Sequence, residues 1–174
     1  QAHGILLRRN FGQSAATAAG IDHATGEIIV IMDSDLQNDP ADIPKLISKI
    51  NDGADIVSGW RKNRKDNALI RNFPSKVANS LIRKISGLPI HDLGCSLKAY
   101  RSEIIKEVKL YGEQHRFIAI YAKMIGGKVD EVVVNHNARQ YGESKYGLNR
   151  IFKVLLDLIT LKYMLAYATK PIYF

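Results

Sequence analysis

The sequence predicts an α/β fold built on a mostly parallel sheet. Short runs of β-branched residues, of which residues 27–32 (EIIVIM) are the clearest, alternate with segments whose apolar residues follow helical spacing. The 174 residues, 46% hydrophobic and 24% charged, are enough for one globular domain with a core. This composition excludes a disordered or low-complexity chain.

The first third of the chain carries the clearest element signals. Residues 5–7 form a short apolar run that predicts the end of a strand, and the Ala-rich residues 14–24 predict a helix. Residues 27–32 predict a strand buried on both faces. The Asp-Pro pair at residues 39–40 predicts the start of a helix, which the Asn-Asp-Gly triplet at residues 51–53 should end.

The alternation continues through the rest of the chain. Strands are predicted over residues 54–58, 97–100 and 129–135, and helices over residues 77–85, 102–108, 117–125 and 148–167. The last helix has one polar and one apolar face, and both a helix lying on a bilayer and an ordinary core-packed helix fit that pattern. We therefore divide the chain into an α/β domain, residues 1–146, and an amphipathic segment, residues 147–174.

The net charge of +8 is unevenly distributed. Residues 33–55 are rich in Asp, whereas residues 61–84 contain many Arg and Lys and a single acid, Asp66. An acidic cluster followed by a basic one is typical of a cation site beside an anion site, although a solvated surface gives the same pattern. The single cysteine, Cys95, excludes an internal disulfide and fits a reducing, cytoplasmic setting.

The strongest local motif follows the predicted strand of residues 27–32. Asp33, Asp35 and Gln37 are spaced two apart, so in extended backbone their side chains would point the same way. Oxygen ligands of this kind suit a hard divalent cation such as Mg²⁺ or Mn²⁺. We expect these three residues to bind the metal and Asp35 to be catalytic, although a bare D-x-D also arises by chance.

Divalent cations of this kind typically also bind substrate phosphates. If a phosphate group leaves in the reaction, basic side chains would help the cation to neutralise its negative charge. The candidates are Arg61, Arg116, Arg139 and Lys145, the last two flanking a Gly-containing segment, and each is alternatively a plain surface charge. Asp92, beside His91, is a candidate catalytic carboxylate or a simple turn cap. Nothing in the sequence identifies a base beside Cys95 that would make it a nucleophile.

Several linked segments together resemble the family 2 glycosyltransferases of the dolichol-phosphate mannosyltransferase and bacterial polyprenyl-phosphate glycosyltransferase type. The resemblance covers nearly the whole chain in order, through RRNFGQSAATAAGIDHATGEIIVIMDSDLQNDPADIPKL, SGWR, HDLGCSLKAYR, EQHRFIA and RQYGESKYGLNRIFKVLLDLIT. It implies a GT-A fold, inversion at the anomeric carbon, a nucleotide-sugar donor and a polyprenyl phosphate acceptor at the cytoplasmic face of a membrane.

The resemblance also assigns residues. It implies a divalent cation at Asp33, Asp35 and Gln37, and phosphate contacts for Arg61, Arg139 and Lys145. It also implies that His115 and Arg116 lie near the acceptor and that Asp92 occupies a position where relatives carry an acid. The first half of the family's nucleotide-binding sheet has no counterpart in the sequence, so we expect a truncated GT-A domain that is inactive alone, and Trp60 departs from the family pattern.

Other functions remain as alternatives. A family 2 transferase with a polysaccharide acceptor usually carries a Q-x-x-R-W segment, which this sequence lacks. The basic charge also fits a nucleic-acid-binding module, but no nucleic-acid motif or interleaved aromatic residues support it, so we expect no nucleic acid partner. A non-catalytic membrane scaffold is the third alternative, and the sequence leaves open a homo-oligomer.

Overall fold

The computed structural model describes residues 2–62, 87–88, 90–108 and 117–138, together with Leu156, Thr160 and Tyr163. Within this part of the chain, four strands form one sheet in the order β1-β3-β2-β4. The strands are β1 (Ile28–Ile31), β2 (Ile56–Trp60), β3 (Lys98–Arg101) and β4 (Val129–Val133). Each overlaps a strand predicted from the sequence.

The sheet is mixed, and the predicted mostly parallel sheet is wrong. Strand β3 runs antiparallel to both β1 and β2, and only β2 and β4 are parallel. A parallel neighbour requires the chain to cross back to the opposite edge of the sheet before the next strand begins. The chain instead enters β3 at the edge where β2 ends, and residue patterns within a strand do not encode that choice.

Four α-helices are described: α1 (Gln13–His23), α2 (Ile43–Asn51), α3 (Ser102–Glu107) and α4 (Ile118–Met124). A 3₁₀ turn, Pro40–Asp42, precedes α2, and the Asp39 carboxylate accepts a hydrogen bond from the Ala41 N–H at 3.0 Å. Gly53, with a φ of +103°, follows the end of α2. The predicted start and end of this helix are therefore confirmed.

The sheet separates two apolar cores, as expected for an α/β sandwich. On one face, Leu46 and Ile50 of α2 pack against Val57 and Ala99. On the other face, residues of α1, α3 and α4 pack against Ile29, Ile56 and Tyr100, the last of which is fully buried. Helices thus cover both sides of the sheet and leave its strand ends accessible.

Two predictions near the N-terminus are wrong. Residues 5–7 form no strand, and within β1 only Ile29 is buried, whereas its neighbours are half-buried. Among the described strands β1 lies at the border of the sheet, so its residues have fewer neighbours than those of a central strand. An apolar β-branched run does not show whether both neighbouring strands are present.

The C-terminal segment is described at three positions. Leu156, Thr160 and Tyr163 are helical and exposed, in agreement with the predicted helix. The helix predicted over residues 77–85 and the domain division at residue 146 lie outside the described residues. No helix in the described part of the chain is both long and apolar enough to cross a bilayer.

Gly59 in β2 gives a direct test of packing. A Cβ at Gly59 would lie 3.0 Å from Cys95 Sγ, the Leu97 carbonyl oxygen and Val134 Cγ2. Gly59→Ala should therefore lower the free energy of unfolding by about 1–3 kcal/mol through overpacking. In α1 a Cβ at Gly20 meets nothing within 4 Å, so Gly20→Ala should instead stabilise the protein by about 0.5–1 kcal/mol. Urea denaturation compares the two, and equal effects would contradict the prediction.

Candidate functional site

One edge of the sheet collects the segments that carry the predicted site residues. Strands β1, β2 and β4 end at this edge, and β3 begins there because it runs the opposite way from β1 and β2. Lys98, the first residue of β3, lies opposite both Ile31 and Ser58 in the register. Ligands of open α/β sheets bind at such an edge.

Residues 33–37, called here the D-x-D turn, are not extended. They form a bend in which Leu36 has a φ of +62°, and the Asp35 carboxylate accepts a hydrogen bond from the Gln37 N–H at 3.2 Å. The extended backbone assumed from the sequence is therefore wrong. Even so, Asp33, Asp35 and Gln37 are half-buried while Ser34 and Leu36 are exposed, and of the three half-buried residues Asp33 lines the adjoining pocket.

The D-x-D turn offers few ligands for a metal ion. In the described part of the chain, no group of three or more His, Cys, Asp or Glu residues is arranged to hold a metal ion. Mg²⁺ and Mn²⁺ sites that also bind substrate phosphates commonly use only one or two carboxylates. Two carboxylates and one amide oxygen fit a cation shared with a phosphate ligand, and do not fit a closed protein cage.

A pocket of about 310 Å³ opens beside the D-x-D turn. Its walls combine carboxylate and amide side chains with apolar ones, in the set Met32, Asp33, Ser34, Leu36, Asn38, Asp39, Pro40 and Asn137. Gln13, the first residue of α1, donates from Nε2 to Asp33 Oδ1 at 3.1 Å and so orients one carboxylate of the wall. A few polar groups in a partly apolar cleft are typical of a small-molecule site.

Arg61 and Asp92, predicted separately as a phosphate ligand and a catalytic carboxylate, bind each other. Arg61 Nε donates to Asp92 Oδ2 at 2.7 Å, and Nη2 donates to Oδ1 at 3.0 Å. The two side chains are only 12% and 6% exposed. This bidentate pair joins the end of β2 to the loop before β3, and it leaves Asp92 stabilised as a carboxylate rather than poised as an isolated base.

Lys98 is a site residue that the sequence analysis missed. Its side chain is buried, and Nζ donates to the Leu93 carbonyl oxygen at 2.9 Å. Burial lowers the pKa of the Lys98 ammonium, an effect opposed by the negative charges of Asp92 and Asp33. A lysine among the apolar residues of the strand predicted over residues 97–100 was the signal that could have identified it.

Asn38 connects three segments of the edge. Its Nδ2 donates to Ser96 Oγ at 2.7 Å, and its backbone pairs with His136 in an antiparallel bridge. Cys95 Sγ lies 4.0 Å from Asn38 Oδ1, and burial raises the pKa of this thiol. Cys95 therefore stays protonated at neutral pH, which agrees with the prediction that it is no nucleophile.

Trp60, whose role the sequence left open, is the last residue of β2. Its ring stacks on His91, with centroids 4.4 Å apart and planes inclined by 15°, and Lys62 Nζ lies 5.6 Å from the Trp60 centroid. Glu131 of β4 holds His91 by accepting from its backbone N–H at 2.8 Å and by contacting Nδ1. The remaining candidates, His115, Arg116, Arg139 and Lys145, lie outside the described residues.

The Arg61–Asp92 pair predicts a strong coupling. Arg61→Ala leaves a buried carboxylate without its guanidinium partner, so it should destabilise the fold by about 3–5 kcal/mol. The double variant Arg61→Ala/Asp92→Ala should cost less than the sum of the two single variants, because it removes both charges. Urea denaturation of the four proteins gives the coupling energy, and additive costs would refute the pairing.

The buried ammonium of Lys98 predicts a pH-dependent stability. In the unfolded chain its pKa returns to about 10.5. At pH values between the lowered pKa of Lys98 in the folded protein and its pKa in the unfolded chain, the unfolded state binds more protons than the folded state. The free energy of unfolding therefore rises with pH in this range. Lys98→Met removes that dependence. The stability of the variant relative to the native protein should therefore decline as pH rises from 7 to 10.5, and a constant difference in urea denaturation would contradict the assignment.

Two curated proteins are similar in sequence to this chain over most of its length. The chain is 50% identical over 173 residues to the dodecaprenyl-phosphate galacturonate synthase of Rhizobium johnstonii. The alignment covers 98% of this chain and 51% of that protein. It is 41% identical over 157 residues to the undecaprenyl-phosphate 4-deoxy-4-formamido-L-arabinose transferase of Shewanella sediminis, covering 90% and 47%. The chain thus spans about half the length of these curated relatives.

A solved structure shares the fold. Glucosyl-3-phosphoglycerate synthase from Mycobacterium tuberculosis, in complex with Mn²⁺, UDP-glucose and phosphoglyceric acid, superposes with a TM-score of 0.65 at 14% identity. The match covers 91% of this chain and 55% of that one, and it agrees with the expected GT-A fold. The family model for glycosyl transferase family 2 matches residues 1–109. The chain belongs to glycosyl transferase family 2.

Proposed function

We propose that this chain forms part of the catalytic core of an inverting glycosyltransferase that moves a sugar from a nucleotide-sugar to a polyprenyl phosphate. The observation that carries the proposal is the common edge of the sheet, where the D-x-D turn and its pocket lie with Arg61, Asp92 and Lys98. Acidic and basic groups at one edge suit a metal-bound diphosphate. The two curated relatives are named for sugar transfer to dodecaprenyl or undecaprenyl phosphate.

The proposed cation site consists of Asp33, Asp35 and Gln37. A divalent cation, Mg²⁺ or Mn²⁺, bound there would neutralise negative charge on the diphosphate leaving group. The half-buried carboxylates of Asp33 and Asp35 can offer oxygen atoms, and the pocket that Asp33 lines can receive the donor. Asp35, whose side chain also holds the Gln37 backbone, is the residue whose loss should affect the site most.

Transfer itself requires positioning rather than a strong base. A phosphate oxygen of the acceptor attacks the anomeric carbon as the bond from that carbon to the diphosphate oxygen breaks, and the configuration inverts. A phosphate is already anionic and needs no proton removed. Asp92 therefore acts by holding Arg61 in place, and the guanidinium offers positive charge where the phosphates meet.

The remaining assignments follow the family resemblance. We propose that Arg116, Arg139 and Lys145 contact donor or acceptor phosphates and that His115 lies on the acceptor side. The acceptor is a membrane lipid, so the reaction takes place at a membrane surface, which we assign to the cytoplasmic face where nucleotide-sugars are available. The amphipathic segment of residues 147–174 would lie against that surface.

The proposal is tested by sugar transfer in the full-length protein. Nucleotide-linked galacturonate, UDP-glucose and GDP-mannose are each incubated with polyprenyl phosphate and Mn²⁺ or Mg²⁺, and label is measured in the lipid phase. Chelator should abolish transfer, and Asp35→Ala should lower kcat/KM by at least about 100-fold because it removes a group that stabilises developing charge. Asp52→Ala, an exposed change at the end of α2, is the matched control.

The alternatives predict different results. Label that appears only with a glycan acceptor would replace the lipid acceptor with a polysaccharide. A folded, membrane-binding protein that transfers no sugar from any donor, with or without Asp35, would favour a scaffold. Tight oligonucleotide binding that falls steeply with salt and ignores chelator would favour a nucleic-acid-binding module.

A further inference from the structure

Strand β4 is held at each of its two ends by an Asp side chain. At the site edge, Asp42 accepts hydrogen bonds from the Asn135 backbone N–H at 2.6 Å and from Asn135 Nδ2 at 3.5 Å. At the far edge, Asp55 accepts from the Lys128 backbone N–H at 2.8 Å. Each carboxylate also has a cationic partner, Lys45 at 2.5 Å for Asp42 and Arg101 at 3.4 Å for Asp55.

The Asp42 contact directs the chain that leaves β4. Asp42 is 1% exposed, so its carboxylate depends on these protein partners. Two residues beyond Asn135, the backbone N–H of Asn137 donates to the Gln37 carbonyl oxygen at 2.9 Å. Asn137 therefore lies directly against the end of the D-x-D turn.

Asn137 also reaches the pocket. Among the described residues, it is the one lining residue of that pocket that follows β4, and the others come from the segment 32–40. The pocket thus exists in its observed shape only while residues 135–137 stay against the D-x-D turn. Asp42 is the buried group that holds the start of this segment.

We propose that Asp42 is a positioning residue of the sugar-transfer site. By holding Asn135 it keeps Asn137 and Gln37 together, and so maintains the pocket wall that lies beside the proposed cation ligands. Asn137 then serves as a polar contact for the donor. This inference rests on the proposed function, because it assigns the pocket to the nucleotide-sugar and the turn to the cation.

Asp55 supplies a matched control. It makes the same kind of contact to the same strand, but at the edge remote from the D-x-D turn. If Asp42 has only a structural role, Asp42→Ala and Asp55→Ala should lower stability and change nothing else. If Asp42 is a positioning residue, only Asp42→Ala should also weaken the binding of the cation and the donor.

The experiment uses the full-length protein and three measurements: urea denaturation, Mn²⁺ affinity by electron paramagnetic resonance, and KM and kcat for the donor. We expect Asp42→Ala to weaken Mn²⁺ binding and raise the donor KM by at least about 10-fold, the size typical for groups that orient metal ligands. Asp55→Ala should leave both unchanged. Asp42→Asn, which keeps an oxygen acceptor for the Asn135 N–H, should restore part of the loss.

A further variant, Asn137→Ala, keeps the backbone N–H that binds Gln37 and removes only the side chain in the pocket. It should raise the donor KM while leaving Mn²⁺ affinity and stability near the native values.

Equal Mn²⁺ affinity in the Asp42→Ala and Asp55→Ala variants would overturn the role of Asp42. Native protein that binds Mn²⁺ but transfers no sugar would count against the proposed function alone, because the Mn²⁺ comparison still decides the role of Asp42. Native protein that binds no Mn²⁺ would overturn both.

Discussion

Strand β3 is hydrogen-bonded to antiparallel partners on both sides, and its register puts Lys98 opposite Ile31 of β1 and Ser58 of β2. This pairing brings the loop before β3 to the edge where β1, β2 and β4 end. The D-x-D turn, the Arg61–Asp92 pair and Lys98 are close together for that reason. A β3 that ran the other way would carry Asp92 and Lys98 to the far edge, and the site would lose its buried charges.

Asp92, Asp42 and Lys98 are buried at this edge, and each has a specific partner. Asp92 binds Arg61, Asp42 binds the Asn135 backbone and Lys45, and Lys98 binds the Leu93 carbonyl oxygen. A charge removed from water is costly unless it is paired or hydrogen-bonded. The loops at the edge are therefore held by a few directional contacts, whereas the two faces of the sheet are held by apolar packing.

A rigid apolar core combined with directional contacts in the edge loops suits a transferase. Apolar layers on both faces keep the strand ends fixed, and the directional contacts set the loops to the accuracy that substrate positioning requires. Arg61, held in two hydrogen bonds by Asp92, keeps its charge in one place. In the proposed reaction, fixed positive charge and a shared cation stabilise a leaving diphosphate, and no group has to remove a proton.

Much of the fold and of the site could be predicted from local sequence. The boundaries of α2 follow from the Asp39 cap and from Gly53, and β2 follows from its apolar run, because these features depend on neighbouring residues. The position of the D-x-D motif after β1 was predicted for the same reason. The bend within the motif was not, because the positive φ of Leu36 is imposed by its surroundings and not by a glycine.

The sequence by itself determined the order of elements, the family and the identity of the acidic and basic candidates. Only the tertiary structure decided that the sheet is mixed, that Arg61 and Asp92 bind each other, and that Lys98, Asn38 and Asp42 belong to the same edge. Arg61 and Asp92 are separated by 31 positions in the chain, and Asp42 and Asn135 by 93 positions. Local propensity acts over a few residues, whereas such contacts depend on strand direction and register, which are set by the packing of the whole domain.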